Sequence, residues 1–482
     1  MDVDKKKGIN KKDDNDDRSS YNDKVVPPSQ PSSSLSKSSH FSFKELLKSL
    51  GPGVITGAAN EDPTTITAYS QAGAQFGFGM LWLALFQYPM LTIFQEMCAR
   101  IGLVTGGGLA AAIKCKYPKD EKQKAVVILI ASLILVANTI NLGADIGAMA
   151  ASVRLVFPQL SGIIATLCFT GLIVSAEILV PYKKYVKILK YLVISILAYV
   201  ITAIIVGVGG RWDQILFSSV IPHFEFTPAF ALILVASFGA TMSPYTFFWQ
   251  TSEQAEEDVV KHKITEISGY DRGSYRPKIS KREFRLMRLD VAIGMALAQL
   301  IMWSVITTTA GSLHTHGITD IQTADQAAKA LQPLVKTFPN SGEIAKTIFA
   351  LGIIGTGMLA VSVMAGASGY ALSDALGWKE GLSKKFTQAK KFYVVIAAST
   401  VIGLWINFVN IDPIKALLYT AIINGVMVIP IFIAIMRIAN DRKILKDKVN
   451  GKISNVIGCT TIVVMAVSVV TMLLLISQNK TI

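Results

Sequence analysis

Long apolar runs dominate this chain from about position 50 onward, and their length carries the signal. A helix needs roughly 17–25 mostly apolar residues to cross a bilayer. Runs of that length predict about eleven spans, near 50–73, 76–100, 125–152, 159–180, 188–209, 229–252, 290–311, 346–373, 391–409, 416–436 and 454–477. Phe157-Pro158 and Asp412-Pro413 mark tight turns between neighbours. Two spans are interrupted: Glu61-Asp62-Pro63-Thr64-Thr65 breaks the first, and Gly239-Ala240-Thr241-Met242-Ser243-Pro244-Tyr245 breaks the sixth. Proline removes a helix hydrogen bond and clashes with the preceding turn. Backbone freed in this way persists at bilayer depth only where it lines a cavity or a site. The breaks lie five spans apart, the spacing expected of inverted repeats with a site near the midplane. The pattern predicts an all-α membrane protein of inverted-repeat architecture.

Composition agrees. The 482 residues are 51% hydrophobic and 17% charged, against about 25% charge in a soluble domain. Residues 1–42 are polar and rich in Ser, Asp and Lys. They carry too little apolar surface to fold alone and lack the apolar stretch of a signal peptide. The expected organisation is a disordered cytoplasmic tail over 1–42 and a transmembrane domain over 43–482. The net charge of +14 is explained by topology. With the tail inside, the outer loops hold only Arg154, Arg211, Lys329, Lys336, Lys346, Lys415 and Lys480, and the other loop cations fall inside. The carboxyl terminus is then outside, and nucleic-acid binding has no support. Cys98, Cys115, Cys168 and Cys459 have no metal-ligand spacing and read as small hydrophobes.

Candidate chemistry starts with Asp62, a lone carboxylate in the first break. A carboxylate at this depth points to function, and its charge points to a cation as cargo. The competing reading is a helix cap, since Asp before Pro caps well.

Three segments resemble the Nramp family of divalent-metal transporters. Gly51-Pro52-Gly53 followed by Asp62-Pro63 is similar to its first span, where Asp-Pro-Gly-Asn is usual. Gln95-Glu96-Met97-Cys98-Ala99-Arg100-Ile101-Gly102-Leu103-Val104-Thr105-Gly106 is similar to the end of its second. Gly239-Ala240-Thr241 with Pro244 is similar to the sixth-span Ala-x-x-Met-Pro-His. The resemblance covers about residues 45–450. It implies that Asp62 and the Ala240 carbonyl ligate the metal, while Thr65 and Ser243 stand where the family has its Asn and Met ligands. The two usual histidines are replaced by Tyr245 and Gln250; the third-span Asp matches Asp145, and the Glu one turn later is Ala148. Together with Ala68-Tyr69-Ser70-Gln71-Ala72-Gly73-Ala74-Gln75-Phe76-Gly77, these departures look like the branch of Nramp-related magnesium transporters.

The donor set of Asp62, Thr65, Ser243 and the Ala240 carbonyl is all oxygen with one fixed charge. A thioether would favour transition metals, whereas Mg²⁺ keeps several waters and binds through one or two carboxylates. Losing Met and Asn leaves room for such waters. The chemistry and the resemblance agree on a hard, partly hydrated cation, Mg²⁺ or Mn²⁺. The alternative for Thr65 and Ser243 is a hydroxyl bonded back to its own helix. Met242, one residue and about 100° away, is the soft candidate if the register shifts by one. Glu61 and Asn60 either face an outer vestibule or cap. Glu253, Glu256 and Glu257 share a helix face, which either draws cations to the inner mouth or is simply solvated. Asn424 and Asp145 are candidates for the site wall and the pathway. Glu177 is expected to snorkel or to pair with Lys183 or Lys184. His314-x-His316 lacks a third ligand, and Gly143 with Gly147 reads as helix packing.

No Walker sequence, nucleotide-binding glycine pattern or catalytic triad appears, so ATP-driven transport and hydrolysis have no support. The sequence leads to a leucine-transporter-like secondary transporter, not an enzyme. It would move Mg²⁺ and/or Mn²⁺ across a cell (inner) membrane by alternating access, inward, weakly or not coupled to protons. The metal is cargo, no cofactor is required, and no protein partner is inferable beyond the bilayer. Competing readings are a proton-coupled Mn²⁺/Fe²⁺ transporter, a cation-coupled solute carrier, and a metal sensor or scaffold that binds without flux.

Overall fold

Proline marks where the interrupted spans restart, and the computed structural model shows helices beginning at those positions. It describes residues 51–116, 121–180, 197–264, 267, 279–408 and 412–479. The expected tail over 1–42 and Lys183 and Lys184 lie outside these residues. In chain order the main helices are α1 (Pro52–Ala59), α2 (Pro63–Phe76), α3 (Trp82–Thr105), α4 (Leu109–Lys116) and α5 (Glu121–Val156). Then come α6 (Gly162–Leu179), α7 (Leu197–Val208), α8 (Trp212–Val220), α9 (Pro228–Thr241) and α10 (Pro244–Val260). The last are α11 (Lys281–Ser312), α12 (Ser341–Leu376), α13 (Lys390–Leu404), α14 (Pro413–Ala439) and α15 (Lys452–Asn479). Among the described residues there is no strand.

Eight spans are long and apolar enough to cross a bilayer, or ten if each of two sharply bent pairs is one span. One bent pair joins Pro63–Met80 to Trp82–Thr105 at 109°. The expected spans near 50–73 and 76–100 meet in this bent pair, and the first half of the one near 188–209 lies outside the described residues. Val463, Val467, Val470 and Leu474 on α15 are more than half exposed, as lipid-facing residues are.

Two backbone contacts position the site. A Cβ on Gly239 would lie 1.9 Å from the Ala421 carbonyl oxygen and 2.3 Å from the Gly425 nitrogen, so α9 meets α14 backbone to backbone. Gly143 and Gly147 press α5 against Gly403 and Asn407, which bears out their reading as packing residues. The start of α1 is held from α11: Gly51 N and Gly53 N donate to the two carboxylate oxygens of Asp290 at 2.8 and 2.7 Å. Those amides belong to the first turn of α1, where no intrahelical acceptor exists.

Candidate functional site

The two breaks meet at the Ala240 carbonyl. Asp62 is in extended conformation ahead of Pro63, and its Oδ1 accepts from Thr65 N at 2.6 Å. It therefore caps α2. Its other oxygen turns to the neighbouring helices: Oδ2 accepts from Asn141 Nδ2 and from the Tyr245 hydroxyl, both at 3.3 Å. The Thr65 hydroxyl donates to Ala240 O at 3.3 Å. The Ser243 hydroxyl faces Ala240 O at 2.9 Å and Gly239 O at 3.0 Å, so it bonds back to α9. The Tyr245 hydroxyl lies 2.8 Å from Ala59 O, the last carbonyl of α1. Asp62, Thr65, Ala240, Ser243 and Tyr245 are all brought together and all buried. As donors, both hydroxyls keep oxygen lone pairs, so neither the bond of Thr65 across to α9 nor that of Ser243 back to it exhausts them.

A second carboxylate sits one helix away. Asp145 Oδ1 accepts from Thr64 N at 3.2 Å and from the Thr64 hydroxyl at 2.9 Å, which bonds it to the first turn of α2. Asn141, one turn earlier on α5, has its Oδ1 2.7 Å from the same hydroxyl. Its Nδ2 is 2.9 Å from Met364 Sδ on α12. Sequence reasoning missed Asn141 and Met364. The i, i+4 spacing of Asn141 and Asp145 was a usable signal, whereas a methionine in an apolar span gives none. Met242 is buried at the end of α9, inside the second break.

Other candidates lie elsewhere. Asn424 is buried on α14 beside the crossing at Gly239, and its Nδ2 has no hydrogen-bond partner. Asn60 and Glu61 are buried in the first break. Glu253 is ten residues past Ser243, about 15 Å along α10. It lines a cavity of about 900 Å³ together with Gly51, Ile55, Glu177, Glu257 and Lys261. This cavity opens at the end of the bundle where α1 begins. The three glutamates do not share one role. Glu256 is buried and receives the Tyr370 hydroxyl and the Leu382 and Ser383 amides, the Leu382 bond at 3.0 Å. Glu257 pairs with Lys261 at 3.0 Å. At the opposite end, Gln71 of α2 donates to Asp320 at 2.6 Å and accepts from Ile321 N at 3.0 Å. His314 Nδ1 lies 2.8 Å from Ala74 O, and His316 also contacts a backbone carbonyl. The Gln71 and His314 contacts tie α2 to the segment that follows α11. Among the described residues no three His, Cys, Asp or Glu side chains group as a metal cluster.

The family model described as natural resistance-associated macrophage protein-like (Nramp) matches residues 53–475. The divalent metal cation transporter MntH of Yersinia enterocolitica is 24% identical over 420 residues, 86% of this chain and 91% of its own. MntH of Pectobacterium carotovorum is 24% identical over 442 residues, 90% and 95% of the two chains. Among solved structures, the manganese transporter of Eremococcus coleocola superposes with a TM-score of 0.67 at 16% identity, over 92% of this chain and 90% of its own. MhsT in complex with L-phenylalanine does so with 0.55 at 9% identity, over 89% and 97%. The two structural likenesses establish an all-helical, leucine-transporter-like fold.

Proposed function

This chain belongs to the Nramp family, and on that premise we propose that it carries divalent metal cations across the membrane, with Mg²⁺ and Mn²⁺ as its cargo. The observation that carries this reading is Asp62. It is a wholly buried carboxylate at the meeting of two helix breaks, and the groups around it are Thr65, Ser243, Tyr245, Asn141 and the Ala240 carbonyl. Apart from Asn141, which turns its amide nitrogen to Asp62, these groups offer oxygen, and such a set suits a hard cation that keeps part of its water. The nearby thioether of Met364 faces the Asn141 amide. A cavity at the α1 end, and the contacts of Gln71 with Asp320 and of His314 with Ala74 at the other, support a transporter that exposes its site to one side at a time. The distribution of Lys and Arg places the open end in the cytoplasm. The test is uptake into proteoliposomes with Mg²⁺ and Mn²⁺ in competition. Saturable uptake of either supports the reading; metal binding without flux would make the protein a sensor or scaffold.

The softness of the site is open to direct manipulation. Ser243→Met should raise preference for Mn²⁺ or Cd²⁺ over Mg²⁺ by roughly tenfold, because it adds a thioether and displaces site water. Competition profiles that stay unchanged in a folded variant would mean that Ser243 does not face the ion. Met242→Ala is the control, and only a one-residue shift of the site would make it lower Mn²⁺ preference.

Transport should be weakly coupled or uncoupled to protons. The Tyr245 hydroxyl lies against the Ala59 carbonyl, and Gln250 accepts from Thr56 at 2.6 Å. An unperturbed tyrosine titrates near ~10, far from the range in which histidine shuttles protons. The driving force is still sufficient: a divalent ion moving through ~100 mV, negative inside, gains about 4.6 kcal/mol. That corresponds to about three decades of accumulation. Intravesicular pH, followed during an imposed metal gradient at clamped potential, should remain flat. A stoichiometric acidification that persists in Tyr245→Phe would sink this and point to Asp145 or Asp62 as the carrier.

A further inference from the structure

We infer that Glu61, with the side-chain oxygen of Asn60, forms a second position for a hard divalent cation, next to the Asp62 position and distinct from it. Each of the two side chains is 2% exposed. Neither carboxylate oxygen of Glu61 has a hydrogen-bond partner, and neither do the amide oxygen and nitrogen of Asn60. Asp62 is the contrast, since its oxygens take the Thr65 amide, the Asn141 amide and the Tyr245 hydroxyl. Two adjacent carboxylates in one break are therefore treated very differently by the fold. Buried polar groups in native proteins are almost always satisfied, and an unpaired buried carboxylate is among the costliest exceptions. Oxygen donors left open at bilayer depth call for a cation.

The field of the helix ends favours a separate position. Asn60 is the C-cap of α1, where the free carbonyls of a helix end carry partial negative charge. The positive end of α2, by contrast, is already taken by the Asp62 carboxylate. Carboxylate and amide oxygen are hard donors, so the ligand class is a divalent cation that retains water.

This inference rests on the reading of Asp62 as a cation site, and the experiment separates the two. The full chain in lipid nanodiscs is titrated with Mn²⁺, and bound ion is counted by electron paramagnetic resonance. The wild type should bind two Mn²⁺ per chain, Glu61→Gln one, and Asp62→Asn the other one; excess Mg²⁺ should displace both. One Mn²⁺ in the wild type, kept in Glu61→Gln and lost in Asp62→Asn, overturns the second position and leaves the Asp62 site standing. No Mn²⁺ bound in a folded wild type overturns both. Should Glu61→Gln fail to fold, Asn60→Ala is read in the same titration. A roughly tenfold weakening of one of two binding phases supports the inference, and two unchanged phases overturn it.

Discussion

Substituting Asp62 with asparagine should reduce divalent-metal uptake to the background of empty vesicles. The substitution keeps nearly everything but charge. Asparagine caps a helix about as well as aspartate, so the bond from Thr65 N to the side-chain oxygen can persist and α2 should start where it does now. What disappears is the negative charge at the point where the two breaks meet. Removing one partner of a buried charge pair costs about 3–5 kcal/mol. At about 1.4 kcal/mol per decade, that is a loss of roughly two to three and a half decades in cation affinity. The measurement is Mg²⁺ and Mn²⁺ flux in proteoliposomes carrying variant and parent at equal, correctly inserted density. Near-normal uptake of both ions would move the site away from Asp62.

Asp290→Ala should loosen the inner half of the first broken helix and slow uptake by at least tenfold, although Asp290 lies well along the chain from the site. Its two oxygens receive the Gly51 and Gly53 amides at 2.8 and 2.7 Å. A hydrogen bond to a charged group contributes about 1.5–3 kcal/mol, and the Gly53 amide left behind would be buried without an acceptor. With only eight residues, α1 has few other means of holding its first turn. Hydrogen exchange over Pro52–Ala59 should accelerate relative to α2, and Asp290→Asn, which keeps one acceptor oxygen, should fall between the two. Unchanged exchange in Asp290→Ala would show that packing against α11 alone holds α1.

The broken architecture was legible because proline acts locally. Pro63 and Pro244 each stand at the first position of a helix, where the missing N–H costs nothing, and both helices begin there in the structure. Span number and placement followed from length alone, except where a polar break diluted the first span and a sharp bend joined α2 to α3. Partner choice was not legible. The bond between Gly51 and Asp290 crosses 239 positions, and nothing in a helical period says which face of α11 meets α1. The same applies to Glu256: spacing placed it on a face with Glu253 and Glu257, but that it would be buried under the Leu382–Ser383 turn follows from tertiary packing. Met364 was invisible because an apolar residue in an apolar span looks like core whichever way it points. The capping reading of Asp62 and the back-bonding reading of Ser243 describe contacts seen in the structure, whereas the Thr65 hydroxyl crosses to the Ala240 carbonyl on α9, a partner no local spacing reveals.

Tyr245 has one further consequence. Its hydroxyl lies between the last carbonyl of α1 and the outer oxygen of Asp62, so a single phenol spans the gap between the first broken helix and the sixth. On the proposed function, the carboxylate that receives an ion is also a fastener between the two broken helices. An arriving cation competes with the phenol for that oxygen, and the fastener loosens as the ion is gripped. Cargo and conformation then share one bond, and the chain needs no separate messenger to report that its site is full.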